Sequence, residues 1–254
     1  MRQALAIAKK DFKALVLSPM FLLLVCFCTA IWSYNYLRAL SMFAEASSLQ
    51  QQMHQAGANI HFRVFVDHIS VINLIFIFIL PAITMRLIAE EKKMRTFDLL
   101  LTSPITALDI ALGKFFAGFV VALVLLAVSL IYPLGTRLFA DFSLGPLWAS
   151  YFGIALIAGV YVAIGLFASS LSQSVVLSVV FGILFNLILW LVGQGTAFSN
   201  EPTIMAILEH ISLPQQFFSF LKGSISLDAS VFLVSSIIFF VFLSERVIES
   251  SRWR

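Results

Sequence analysis

The chain has 254 residues, 61% of them hydrophobic and only 11% charged, with a formal net charge of +3. A soluble domain carries about 25% charged residues, so this composition describes an integral membrane protein, and a length filled with spans leaves no room for a soluble catalytic domain of ordinary size. The basic residues lie in short clusters beside the apolar runs, a topology signal that argues against nucleic acid as a partner.

The chain opens on a predicted amphipathic helix. Met1, Ala4, Leu5, Ala8, Phe12, Leu15 and Val16 share one face, and Arg2, Lys9, Lys10 and Lys13 another. Such a helix is expected to lie in the membrane interface with its lysines at the headgroups, and Ser18-Pro19 lets the chain turn into the membrane. No charge follows Lys13 for 24 residues, up to Arg38. A hydrocarbon core about 30 Å thick needs about 20 apolar residues in a helix, so the first span lies here. The run also exceeds the roughly 7–15 residues of a signal-peptide core, and the segment is expected to be retained. Cys26 and Cys28 fall inside it, two positions apart and facing different ways, so they read as small apolar side chains.

A polar external loop is expected from Ser41 to Asp67, with Gln50-Gln51-Gln52 within it. His54, His61 and His68 recur every seven residues. On a helix they share a face at about 10 Å intervals, too far apart for one metal ion, and they read as a solvated face. The second span lies between His68 and Arg86, the third between Lys114 and Arg137. Joining them is a cytoplasmic loop in which Met94, Phe97 and Leu101 form an apolar stripe at helical spacing. Ser103 before Pro104 is a helix-start signal, so a second short helix is expected to run toward Gly113. The stripe needs a cover of lipid, of its own bundle or of a partner protein.

The uncharged stretch from Asp141 to Glu201 is too long for one helix and breaks at Ser169-Ser170-Leu171-Ser172-Gln173-Ser174, giving spans four and five. From Gln194 to Leu227, two semi-apolar pieces marked by Pro202 and Pro214 are too short to span. They read as re-entrant or interfacial half-helices on the external side, the second closed by Gly223. The sixth span, Ala229 to Ser244, holds sixteen uncharged residues, and Glu245 and Arg246 must snorkel to extend it.

Of the sixteen Lys and Arg residues, twelve fall on the side of the N-terminus, of the second-to-third loop and of the C-terminus. The other four, Arg38, Arg63, Arg137 and Lys222, fall on the opposite side. The positive-inside rule therefore predicts that both termini are cytoplasmic. Asp, Glu and His are all assigned to loops or interfaces, which argues against a pump or an intramembrane enzyme. Gly113-Lys114 is no phosphate loop, since Leu108 and Phe115 stand where that motif needs Gly and Ser or Thr.

The run from Glu90 to Pro104 (EEKKMRTFDLLLTSP), followed by Ile110 and Gly113-Lys114, resembles the first cytoplasmic loop of ABC-2 type transporter permeases, E-E-(basic)-x-x-G-T-x-(acidic)-L-L-L-T-S-P and then I-x-x-G-K. Gly165-Leu166-Phe167-Ala168-Ser169-Ser170-Leu171-Ser172 is similar to the family's G-L-F-x-S-S-L-T turn. The segment Phe217 to Asp228 is similar to the gliding-motility-associated GldF-like branch, and the chain also resembles NosY-like permeases, which serve nitrous-oxide reductase maturation. Arg95 departs from the pattern, standing where the family usually has glycine.

The resemblance implies one ABC-2 type transmembrane domain over residues 1–254, all-α and integral to the membrane. Its six transmembrane helices would carry the N-terminal interfacial helix, a cytoplasmic coupling helix and the external half-helices. It implies a bacterial inner-membrane location, a homodimer of six-helix halves, and two copies of a separate ABC ATPase subunit that carries the ATP and Mg. This chain would hold no cofactor and would catalyse nothing. The loop residues that would dock the ATPase are Glu90, Glu91, Met94, Arg95, Thr96, Phe97, Asp98, Leu100, Leu101, Ser103 and Pro104. Export is the expected activity, without a named substrate. The alternative is a subunit that transmits ATP-driven motion to a periplasmic partner and moves no solute.

Overall fold

The computed structural model describes residues 2–52, 59–102, 105–192 and 201–253, and every regular element among them is helical. In chain order these are α1 (Arg2–Val16), α2 (Pro19–Gln52), a π-helical turn (His61–Phe65) leading into α3 (Val66–Lys93), α4 (Phe97–Thr102), α5 (Ala107–Thr136) and α6 (Leu144–Leu171). There follow α7 (Val175–Leu191), α8 (Pro202–Ile211), α9 (Leu213–Leu221), α10 (Leu227–Ser250) and a 3-10 turn (Ser251–Trp253).

Five helices are long and apolar enough to cross a membrane: Pro19–Ser48, His61–Lys93, Ala107–Thr136, Leu144–Leu171 and Leu227–Ser250. The remaining apolar segment forms α7, with 17 residues, about 25 Å at a rise of about 1.5 Å per residue. The break before it is where the serine run places it, with Ser174 as N-cap accepting from the Leu177 amide. The last long helix outgrows its uncharged run, because α10 takes Asp228, Glu245 and Arg246 into its 24 residues.

Burial decides which helix is central. In α6, 78% of the most apolar window is buried, against 22% in α2 and in α10. Apolar on all sides, α6 packs against α3, α5, α7, α9 and α10, as a helix without a polar face must. Its Gly165 admits α3 closely, since a β-carbon there would fall on the Thr84 hydroxyl.

Two prolines interrupt backbone ladders, and a neighbouring helix repairs each. Pro81 lacks an N–H for the Ile77 carbonyl, and Asn186 Nδ2 of α7 donates to it at 3.4 Å. Pro133 likewise frees the Ser129 carbonyl, which His68 of α3 meets at 3.4 Å through Nε2. A carbonyl only accepts, so Nε2 carries the proton. In an apolar interior an orphan carbonyl costs several kcal/mol (roughly), which is the physical reason for a histidine and an asparagine here.

Several expectations are corrected. The segment 41–67 is not a loop throughout: α2 continues to Gln52, and helical turns resume at His61. His61 and His68 are buried rather than solvated; His61 Nε2 lies 2.9 Å from the Leu221 carbonyl at the end of α9, and His68 is packed between the rings of Tyr36 and Tyr132. His54 lies outside the described residues. No separate short helix ends at Gly113: α5 starts at Ala107 with Thr106 as its N-cap and runs through Gly113 without a break. Finally, α1 does not simply rest on the interface. It buries Ala4, Ile7, Ala8, Asp11 and Leu15 and packs along α5, leaving Leu5 exposed.

Candidate functional site

The chemistry concentrates where α1, the end of α3 and the start of α5 meet. Gly113 sets the spacing: a β-carbon there would lie 2.7 Å from the Ala4 carbonyl and 2.8 Å from Ile7 Cβ, so only glycine lets α1 lie this close on α5. The next residue uses that proximity. Lys114 is 1% exposed, and its ammonium lies 3.1 Å from Asp11 Oδ2 and 2.7 Å from Glu91 Oε2 while donating to the Leu87 carbonyl. Lys10 stands 3.8 Å from Asp11 and 3.7 Å from Glu91, which balances two cations against two carboxylates. The ammonium donates to Asp11 and to the Leu87 carbonyl, and Glu91 adds its charge at ion-pair distance. The Gly113-Lys114 pair is thus the anchor of α1. The assignment of every Asp to a loop or interface is corrected here for Asp11, which is buried against Lys114.

Glu91 joins this cluster to the connection between α3 and α5. The helix α3 ends in a Schellman motif: the Arg95 amide donates to the Lys92 carbonyl at 3.1 Å and the Thr96 amide to the Glu91 carbonyl at 3.0 Å. That closure requires a left-handed residue after the C-cap Met94, and Arg95 occupies it at φ 57°, the one non-glycine residue with positive φ among the described residues. The family's glycine at this position therefore has a conformational reason, and Arg95 keeps the turn at a cost of about 1–2 kcal/mol.

The turn breaks the proposed stripe. Met94 closes α3 and is 68% exposed, whereas Phe97 opens α4 and is 2% exposed, with the Lys92 ammonium 5.4 Å from its ring centre. Leu100 packs partly on the core. Among the described side chains of α4, Leu99 is the apolar one that faces outward, 73% exposed, and spacing alone did not single it out. Asp98 and Leu101 are helical in backbone, and Ser103 and Pro104 lie outside the described residues. Glu90 turns away to pair with Arg86 at 2.8 Å. Beside these charges lies an open cleft of about 310 Å³ lined by Lys10, Asp11, Arg86, Glu90, Met94 and Thr96, among others.

Two of the sequence segments that carry the family resemblance interlock. Lys92 Nζ donates to the Ser170 carbonyl at 2.5 Å, at the C-terminal end of α6, where free carbonyls favour a cation. Ser169 Oγ accepts from the Ala89 amide at 2.9 Å and donates to the Met85 carbonyl at 3.2 Å, bridging a pair that an α-helix would join directly. On the other flank, Arg252 of the 3-10 turn donates to the Ile105 carbonyl, so the C-terminal region also grips the connection.

Long apolar helices around a buried α6, with a folded and ion-paired connection at one end, define a multi-pass membrane protein. Residues 5–243 match the family described as ABC-2 family transporter protein, and the chain belongs to that family. It is a family of non-catalytic membrane components whose ATP is bound by a separate ATPase. No curated protein gives a significant match to the sequence.

Proposed function

We propose that the chain is one half of an exporter, a six-span permease subunit that dimerises and is driven by two ATPase subunits docked on the connection between α3 and α5. The observation that carries this reading is the Lys114 cluster. A short surface connection needs no buried lysine to stay folded, but one that must transmit force needs a stiff attachment to the helices behind it. Asp11, Glu91 and Lys114 tie α1, α3 and α5 into one body at the base of the connection, while Met94 and Leu99 face outward.

In this reading α7 is the remaining span, both termini and the connection face the cytoplasm of a bacterial inner membrane, and α8 and α9 form the external half-helices. The charge distribution of twelve against four supports this orientation. The segment from Phe217 to Asp228 supports kinship with the GldF-like and NosY-like branch. Glu91 braces the connection, Glu90 pairs with Arg86 within α3, Arg95 shapes the connection, Phe97 seats it on its own chain, and Met94 and Leu99 contact the ATPase.

The test is co-purification from the native host. The double change Met94→Ala with Leu99→Ala should strip the ATPase from the purified complex, whereas Leu138→Ala with Phe139→Ala at the opposite end should retain it. Full ATPase retention by the first variant would overturn the docking assignment.

A further inference from the structure

The end of the bundle opposite the connection carries a second charged feature. From Ser18 to Arg38, α2 climbs about 30 Å at about 1.5 Å per residue, the thickness of the hydrocarbon core. Counting back from Arg86, α3 reaches the same level at Asp67 and Arg63. These residues line one cleft of about 390 Å³ between the outer part of α2 and the start of α3, together with Met42, Phe43 and Phe62. Neither guanidinium forms an ion pair among the described residues, nor does the Asp67 carboxylate. Two of the four basic residues on this side thus converge, with Asp67, on one cleft at headgroup depth, without an ion pair among the described residues.

We propose that this cleft is a binding site for an anionic phospholipid of the leaflet opposite the connection, with the phosphodiester between Arg38 and Arg63. Guanidinium groups match phosphate oxygens in planar, bidentate fashion. Two arginines against one aspartate leave the cleft with a single positive charge, which complements a monoanionic lipid such as phosphatidylglycerol. Asp67 accepts from a headgroup hydroxyl. Below this level the exposed side chains of Leu37 and Tyr34 on α2 offer the acyl chains an apolar wall. The inference rests on the membrane embedding of the chain and is independent of ATPase docking, which uses the other end.

The experiment reconstitutes the full chain in nanodiscs of phosphatidylcholine with and without phosphatidylglycerol, then extracts it and quantifies retained lipid by native mass spectrometry. The wild-type chain should retain phosphatidylglycerol in preference to phosphatidylcholine. Arg38→Gln with Arg63→Gln should lower that retention about tenfold, while Arg137→Gln, an arginine outside the cleft, should leave it unchanged. Unfolding midpoints in pure phosphatidylcholine serve as the control for folding, and the single change Arg63→Gln replaces the double variant if the latter is unstable. Equal phosphatidylglycerol retention by a folded cleft variant would overturn the proposal. So would loss of the retained phosphatidylglycerol on adding free glycerol phosphate, which would make the ligand a soluble phosphate rather than a lipid.

Discussion

Lys114 and Asp11 are 103 positions apart in the chain and 3.1 Å apart in space. The contact makes α1 a structural partner of the connection rather than a separate anchor on the membrane surface. Pulling on Glu91, the other carboxylate on Lys114, pulls on α1 and α5 together, because all three helices share one buried ammonium.

Removing that ammonium leaves Asp11 and Glu91 facing each other with only Lys10 nearby. Lys114→Met should therefore destabilise the protein by about 3–5 kcal/mol, the usual cost of breaking a buried pair by deleting one partner. Adding Asp11→Asn should recover part of the loss, because it removes one orphaned charge. Thermal unfolding of the two single variants and the double variant in detergent gives the coupling directly, and strict additivity would show that the pair is not energetically joined.

Arg95 makes a second case, in which a substitution should improve the protein. Glycine adopts the left-handed conformation without the Cβ clash, but it loses more backbone freedom on folding. The balance predicts that Arg95→Gly stabilises by about 0.5–1 kcal/mol, whereas Arg95→Val, β-branched in a left-handed turn, destabilises. The order Gly, Arg, Val in unfolding midpoint is the outcome to check.

Seating and docking should separate within α4. Phe97→Ala removes a buried ring and its contact with the Lys92 ammonium, and is expected to cost about 3 kcal/mol of stability. Leu99→Ala, on the exposed face, should change stability by no more than about 0.5 kcal/mol yet weaken ATPase binding. Measuring unfolding and ATPase retention on both variants tests this; a large loss of stability in Leu99→Ala would mean that the exposed face is covered by the chain itself.

Much of this architecture was legible because charge is expensive in hydrocarbon. The uncharged gaps located the five long helices and α7, and the serine run located the break between α6 and α7. The site was less legible, for reasons visible in single residues. Lys114 looked like a juxtamembrane cation, and Asp11 sat among lysines on a helix otherwise read as interfacial; only a contact across more than a hundred residues buries both. Periodicity placed His61 and His68 on one face without saying what covered it, since the carbonyls they meet, Leu221 and Ser129, are freed by a helix end and a proline far away in sequence. The spacing of Met94, Phe97 and Leu101 hid a left-handed turn because arginine, not glycine, marks it.

The proline repair predicts its own rescue. His68→Phe should destabilise by about 1–3 kcal/mol, as the Ser129 carbonyl loses its donor. Pro133→Ala restores an N–H at the position that bonds this carbonyl, so it should help the His68→Phe protein more than it helps the wild type. A double-mutant cycle on unfolding midpoints with no interaction between the two sites would contradict the pairing.

In the proposed function a separate ATPase grips this chain at the connection between α3 and α5. The most direct measurement places a photo-crosslinking side chain at Leu99 in native membranes and identifies what it captures, with Phe139 at the opposite end as the reference position. A covalent adduct with an ATPase subunit is expected from position 99 and none from position 139. An ATPase adduct from position 139, or only lipid adducts from position 99, would contradict it.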